Sequence, residues 1–210
     1  YEFYMGDVLS VFFDDFESGE GEWTHGYSHA ASQPEYADDW QLGTPGGLSG
    51  DPDQAFSGEF VWGNDLGAGE YNGAYRPNVT NYLNSPLIDC RGYRGTRLQF
   101  RRWLNAEDGG YDQARIRING QTVWSNADGE GVSHHKDSNW FFHDIDIAPW
   151  ADKKKITIQF EMETDAGLEM GGWNIDDVSV VALGTGPIEE GGCQCRVSAR
   201  FPEDMRAERR

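Results

Sequence analysis

Alternation of apolar and polar residues is the main structural signal in this chain. Residues 97–101, 113–118 and 155–163 each place an apolar side chain at every second position. This period of two is typical of β-strands that bury one face, because successive side chains on a strand point to opposite sides. We found no convincing helical spacing of apolar residues. The pattern therefore predicts an all-β, antiparallel sandwich.

A tight hairpin is the strongest local prediction. Asn119-Gly120 separates two alternating runs, and this dipeptide readily adopts the positive φ angles of a two-residue type I′ turn. The resulting register is expected to place Ile116 opposite Val123.

The two ends of the predicted domain both carry acid clusters. Residues 171–181 combine β-forming residues with the adjacent pair Asp176-Asp177, and residues 12–17 form an aromatic run that ends in acid. Side chains alternate along a strand, so the two aspartates are expected to point to different faces. We expect the first and last strands to pair and to bring these clusters together.

The chain length fits one domain with a tail. With 210 residues and 27 glycines, the chain is long enough for one sizeable core and is better suited to strands and loops than to helices. We predict a leading strand or linker over 1–10, a sandwich domain over 11–184 and a flexible Gly/Cys-containing tail over 185–210. The start at Tyr1 suggests a fragment of a longer protein.

The net charge of −19 argues against a nucleic-acid partner, because phosphates would be repelled. The same charge makes divalent cations plausible partners, although acid also simply keeps a protein soluble. No segment approaches the roughly 18 apolar residues of a membrane span, so we expect none.

The sequence offers no catalytic constellation. It contains no Gly-x-Ser-x-Gly or His-Glu-x-x-His motif and no cysteine with an evident histidine partner, and its 36 acids make chance carboxylate pairs inevitable. The chain is therefore not expected to be an enzyme.

Aromatic residues in or beside predicted loops are candidates for ligand contact, because their faces stack on sugar rings and anchor protein interfaces. The alternative is that they fill the core, as large aromatics often do in sandwiches. The candidates are Trp40, Trp62, Tyr71, Tyr75, Trp124 and Trp140.

The order of motifs resembles a known family: bacterial jelly-roll modules related to MAM domains, to cleaved adhesin (choice-of-anchor J) domains of gingipains and to the C-terminal modules of immune-inhibitor-A-like peptidases. The motifs run from Asp15-Phe16-Glu17-Ser18-Gly19 through Ser57-Gly58, Val61-Trp62-Gly63, residues 82–89, residues 98–100 and residues 144–147 to Gly172–Val178.

The resemblance implies a non-catalytic jelly roll with a structural calcium, in a secreted or cell-surface protein. It places one calcium ligand on Glu17 and another on Asp177 or Asp176, with Asp112 near the same region. Calcium takes six to eight oxygen ligands. Asp53 and the carbonyls around Ser57 and Glu59 are further candidates.

Three cysteines leave the tail open to interpretation. Cys193 and Cys195 are too close to bridge each other comfortably, and Cys90 either pairs with one of them or stays a buried thiol. The segment 191–196 resembles the Gly-Cys motif of myxobacterial C-terminal sorting signals, but the hydrophobic span of such signals is missing.

We therefore predict an adhesion or binding module that engages a glycan or a surface protein through loop aromatics. One alternative is an accessory domain of a secreted metallopeptidase, with a peptidase domain upstream. Another is a structural module in surface assembly.

Overall fold

The computed structural model describes residues 8–67, 72–127 and 133–184. Regular structure in these residues is almost entirely β-strand. The strands are β1 (Leu9–Asp14), β2 (Thr24–Ala30), β3 (Trp40–Gly43), β4 (Val61–Asn64), β5 (Val79–Asn84), β6 (Ile88–Asp89), β7 (Thr96–Ala106), β8 (Gln113–Ile118), β9 (Gln121–Ser125), β10 (His135–Lys136), β11 (Phe141–Asp146), β12 (Lys155–Ile156), β13 (Ile158–Glu163) and β14 (Gly172–Ala182). A 3-10 turn at Pro34–Tyr36 and the short helix α1 (Ala148–Ala151) complete the elements.

The strands form two main antiparallel sheets. The first has the order β10-β7-β14-β4-β3, with β1 also pairing with β14 and β11 with β7. The second has the order β2-β5-β13-β8-β9, and β6 and β12 form a small separate ladder. The predicted fold class, an antiparallel jelly-roll sandwich, is confirmed as a two-sheet antiparallel sandwich.

The first and last strands pair as predicted. β1 lies antiparallel to β14, from Leu9 opposite Ala182 to Asp14 opposite Val178. This ladder carries the acidic end of β1 to the level of the Asp176-Asp177 pair.

The predicted hairpin is present, but its register was wrong by one residue. Asn119 and Gly120 have φ angles of 49° and 80°, as the type I′ turn requires. Ile116 lies opposite Trp124 rather than Val123, because the ladder shifts between Ile116 and Arg117. A bulge of this kind adds a residue to one strand and moves every later pair.

Alternation along the two long central strands builds the core. Leu98, Phe100 and Leu104 of β7 are buried against the second sheet, where the ring of Phe160 lies 5.2 Å from that of Phe100 and 5.7 Å from that of Trp173. Fully burying a side chain of this size contributes about 1.5–3 kcal/mol, so these layers account for much of the folding free energy.

The opposite face of the same strands positions the candidate site. Arg101 lies opposite Asp176 and Trp103 opposite Asn174, so these four residues share the outer face of the first sheet. Asp176 and Asn174 are nevertheless fully buried. An additional segment of chain must therefore cover this face.

The predicted division into 1–10, 11–184 and 185–210 stays a prediction, because residues 1–7 and 185–210, with Cys193 and Cys195, lie outside the described residues. Cys90 is a buried free thiol, and burial raises its pKa to about 11. Among the described residues, no helix is long and apolar enough to cross a membrane.

Candidate functional site

A loop of residues 50–60, which we call the strap, lies across the outer face of β7 and β14. The indole Nε1 of Trp103 and the Nδ2 of Asn105 both donate to the carbonyl of Gly50, at 2.8 and 2.7 Å. Farther along, Trp140 Nε1 donates to the carbonyl of Gln54 at 3.1 Å. These bonds hold the first half of the strap against the sheet.

A buried acid–amide pair adds to this attachment. Asn174 Nδ2 donates to Asp51 Oδ1 at 2.6 Å, while Asp51 Oδ2 and Asn174 Oδ1 are buried without a hydrogen-bond partner. Burial is the main cause that raises the pKa of Asp51 to about 9. Asp51 was not recognised from the sequence, because nothing in the local pattern distinguishes a buried aspartate from a solvated one.

Asp176 holds the middle of the strap. Its Oδ2 accepts the backbone N–H groups of Phe56 and Ser57, at 2.9 and 3.0 Å, and its Oδ1 accepts the N–H of Asp177 at 2.7 Å. Burial is the largest influence on this group and raises its pKa to about 6. The carboxylate is thus committed to fixing backbone.

Glu17 holds the second half of the strap. Its Oε1 accepts the backbone N–H groups of Glu59 and Phe60, both at 2.9 Å. Gly58 lies directly below this carboxyl: it has a φ of 59°, and a Cβ at this position would lie 2.2 Å from Glu17 Cδ. Glycine is therefore required here both for its backbone conformation and for the close approach.

Two strained residues flank this junction. Phe16, which precedes Glu17, has a φ of 65°, and Asp177 has a φ of 50° within the bulge that interrupts the β14–β7 ladder. A positive φ is unusual for a bulky residue, and such conformations cluster at functional sites. The bulge turns Asp177 toward the strap, where its Oδ1 accepts the hydroxyl of Ser57 at 2.9 Å.

The predicted metal ligands therefore separate into two groups. Glu17, Ser57, Asp176 and Asp177 converge on the strap, and Glu59 contributes its backbone there while its side chain is exposed. Asp53 is also on the strap, but it is exposed and lies beside Gly47.

The placement of Asp112 near Glu17 was wrong. Asp112 is buried, accepts the Tyr75 hydroxyl at 2.5 Å and the backbone N–H of Asp165 at 2.8 Å, and groups with Glu107 and Asp165. Arg101 is the cross-strand partner of Asp176, and Glu107 lies six residues after Arg101, just beyond β7. Six residues of extended chain place Glu107 about 20 Å from Arg101. The sequence order of motifs could not reveal this separation.

Among the described residues, ligand-type oxygens and nitrogens gather closely in two groups that share Glu107. The groups are Glu107 with Asp108 and His134, and Glu107 with Asp112 and Asp165, each with its atoms within 4.8 Å of one another. Both Asp112 oxygens already accept hydrogen bonds. The second group therefore already has a structural role at the end of β7.

Three of the predicted ligand-contacting aromatics are core residues. Trp40, Trp62 and Tyr75 are at most 2% exposed, so the expectation that they contact a ligand is wrong for this structure. Trp124 lies on β9, half-buried, with its ring 5.6 Å from that of Trp173. Tyr71 lies outside the described residues.

A different set of aromatics forms a continuous surface over the strap and the outer face, which we call the aromatic platform. Its members are Phe56, Trp103, Trp140 and Phe142. The Trp140 ring lies 6.5 Å from Phe56 and 6.0 Å from Trp103, while Phe56 and Phe142 remain 41% and 47% exposed. Of the predicted residues, only Trp140 belongs to it.

The signal that could have identified the platform is the strand alternation itself. Trp103 shares its face with the polar residues Gln99 and Arg101, so an outward-facing indole was implied there. Phe142 follows from the pairing of β11 with β7, which places it opposite Arg101. That pairing was not derivable from spacing alone.

No protein-family model matches the chain. The chain is 30% identical over 172 residues to bacillopeptidase F of Bacillus subtilis. This alignment covers 81% of this chain and 11% of that protein. It is 29% identical over 111 residues to the pre-pro-metalloprotease PrtV of Vibrio cholerae. This second alignment covers 48% of this chain and 12% of that protein.

The K1 cleaved adhesin domain of Lys-gingipain from Porphyromonas gingivalis W83 aligns over 84% of this chain and 99% of that domain, with 16% identity and a TM-score of 0.49. The chain spans only about a tenth of the length of the two curated peptidases. The predicted resemblance to modules of bacterial peptidases is confirmed: this chain is similar in sequence to a segment of each.

Proposed function

We propose that this chain is a non-catalytic binding module of a secreted or cell-surface bacterial protein, stabilised by calcium and binding its ligand through the aromatic platform. The observation that carries the proposal is the strap, because one structural feature links the acid junction to the exposed rings. Glu17 and Asp176 fix the strap, and the strap presents Phe56 to solvent beside Trp140.

The oxygen atoms at the junction are of the chemical type that calcium binds. Glu17 uses one carboxylate oxygen for backbone N–H groups and keeps Oε2, while Asp177 and Ser57 meet across the strap. Hard oxygen donors of this kind suit calcium. Glu17, Ser57 and Asp177 are the residues that would hold the ion, and its charge would offset the repulsion between the two carboxylates. Asp176 instead positions the strap.

The platform is suited to ligand contact because Phe56 and Phe142 are exposed, while the half-buried Trp103 and Trp140 beside them are fixed. Both indole N–H groups donate to strap carbonyls, so the tryptophans are held in place before a ligand arrives. Preorganised aromatic rings supply contact area at low entropic cost. Sugar rings and apolar side chains both stack on such surfaces.

Binding to an array of bacterial and plant polysaccharides, in excess calcium, tests this proposal. We expect Trp140→Ala and Phe142→Ala to lose most of the binding of the wild-type protein. Leu87→Ala is the matched control, since Leu87 is 64% exposed and is not part of the platform. Equal binding by all variants, or no binding by the wild type, would refute the assignment of the platform. We also expect no hydrolysis of casein or of the bound polysaccharides.

A second candidate is an accessory module of a secreted peptidase, which the similarity to bacillopeptidase F and PrtV favours. In that case the platform would dock a protein substrate for a catalytic domain in the same polypeptide. This role requires a peptidase domain encoded in the same reading frame. Trp140→Ala should then lower the activity of that domain on a large substrate but not on a short peptide.

A further inference from the structure

Arg101 occupies the centre of the aromatic platform. Its guanidinium carbon lies 3.9 Å from the centroid of the Phe56 ring and 5.0 Å from that of Phe142. The cation is therefore held by one ring from the strap and one from β11. These two contacts from distant parts of the chain fix the position of the guanidinium.

The guanidinium has no carboxylate partner among the described residues, although the chain carries 36 acids against 17 basic residues. The nearby acids are already used. Asp144 accepts from Arg97 at 2.7 Å, and Asp176 accepts three backbone N–H groups. In so acidic a chain, a half-buried arginine without an ion pair suggests that its carboxylate comes from a ligand.

The stacking leaves the hydrogen-bonding edge of Arg101 available. Cation–π contacts use the planar faces of the guanidinium, whereas its five N–H donors lie in the plane and form a fork that matches a carboxylate. Rings that contact the faces of the guanidinium therefore orient its N–H donors and leave them free to form hydrogen bonds. Such a fork matches one planar anion, and it lies beside aromatic rings of the kind that stack on sugars.

We propose that the platform binds a glycan containing hexuronic acid and that Arg101 is the residue that recognises the sugar carboxylate. The proposal rests on the proposed binding function and specifies its ligand. The sugar ring would stack on a platform aromatic while its carboxylate accepts two N–H bonds from Arg101.

The surroundings favour a glycan over an acidic peptide. Both edges of β7 near Arg101 are occupied, by β11 on one side and β14 on the other, so an extended peptide has no free strand edge to join. One available guanidinium also suits an isolated carboxylate better than a densely sulfated chain, which the net charge of −19 would repel.

The test measures affinity for trisaccharides of galacturonic, glucuronic and mannuronic acid, each beside its carboxyl-reduced counterpart, in excess calcium. We expect at least one uronate to bind, and Arg101→Gln to weaken that binding by about 10- to 100-fold, as expected for the loss of charge-assisted hydrogen bonds. Binding of the reduced trisaccharide should not change. Arg101→Lys, which keeps the charge and loses the fork, should give an intermediate affinity and also serves if Arg101→Gln does not fold.

The matched control is Arg97→Gln, which alters an arginine on the same face of β7 that is already paired with Asp144. It should leave affinity within about threefold, because the Arg97 guanidinium is already bound by Asp144. Equal affinity of wild type and Arg101→Gln for every uronate, or tighter binding of an oligoglutamate peptide, would overturn the assignment. Binding of neutral glycans that depends on Trp140 but not on Arg101 would overturn it while leaving the proposed function intact. Failure to bind any glycan or peptide would refute both.

Discussion

Replacing Gly58 with alanine tests how the strap is held. The new Cβ would lie 2.2 Å from Glu17 Cδ, a distance that no contact tolerates, so the Glu17 carboxyl must move. Moving it breaks both of its bonds to the backbone N–H groups of Glu59 and Phe60. The same substitution at Gly120, which has a φ of 80° and no atom within 4 Å of its Cβ position, introduces the backbone cost alone.

The difference between the two variants can be worked out from these contacts. A positive φ costs an alanine about 1–2 kcal/mol at either position. Glu17 is exposed, so water compensates partly for its two lost hydrogen bonds, and we assign them together about 1–2 kcal/mol. In a domain of this size, that extra free energy corresponds to about 2–8 °C of melting temperature.

The measurement is thermal unfolding of five proteins: the wild type, Gly58→Ala, Gly120→Ala, Glu17→Gln and the Gly58→Ala/Glu17→Gln double variant. We expect Gly58→Ala to melt below Gly120→Ala. The double variant should lose less stability than the sum of its parts, because Glu17→Gln removes the charge that strengthens the hydrogen bonds that Gly58→Ala breaks. Equal melting temperatures for the two alanine variants, together with additivity in the double variant, would show that the Glu17 contact does not stabilise the strap.

Two further predictions concern buried groups. Asp51→Asn should raise stability at pH 7 by about 1–3 kcal/mol. The pKa of Asp51 is raised to about 9 by burial, so folding at pH 7 must protonate this carboxyl, and the neutral amide avoids that cost. The exposed Asp53→Asn is the control, and an unchanged or lower melting temperature for Asp51→Asn would contradict the reasoning. Burial lowers the pKa of His143 to about 4, so this residue binds its proton more tightly in the unfolded chain. Its contribution to stability should be full above about pH 6.5 and should fall by up to about 3 kcal/mol as the pH drops to about 4. Denaturant midpoints of wild type and His143→Gln across this range check the second prediction, with the exposed His29→Gln as control, and parallel curves for wild type and His143→Gln would refute it.

Much of the fold could be predicted because strand alternation records burial directly. The inward faces of residues 97–101, 113–118 and 155–163 are buried as expected, and the turn at Asn119-Gly120 has the predicted conformation. The pairing of the first and last strands also followed from the position of the two acid clusters. These features depend on local chemistry or on the two ends of the chain.

The candidate site was predicted only in part because it depends on pairings between distant strands. Trp62 and Trp103 are both strand tryptophans, yet one is core and the other lies on the outer face. The register of β7 with β11 and β14 decides which aromatics meet, and no local motif encodes that register. The bulge at Asp177 is a further example, since it redirects one acid of a pair that simple alternation would merely separate.

The central claim is that calcium holds the strap between Glu17 and Asp177. The most direct test is thermal unfolding of the wild type, Glu17→Gln and Asp177→Asn, each with chelator and with added calcium. If calcium is present at ten to a hundred times its dissociation constant, the wild type should gain about 1.4–2.7 kcal/mol and melt at a clearly higher temperature, while both variants should lose most of that shift. A wild-type melting temperature that is the same in chelator and in calcium would contradict the account.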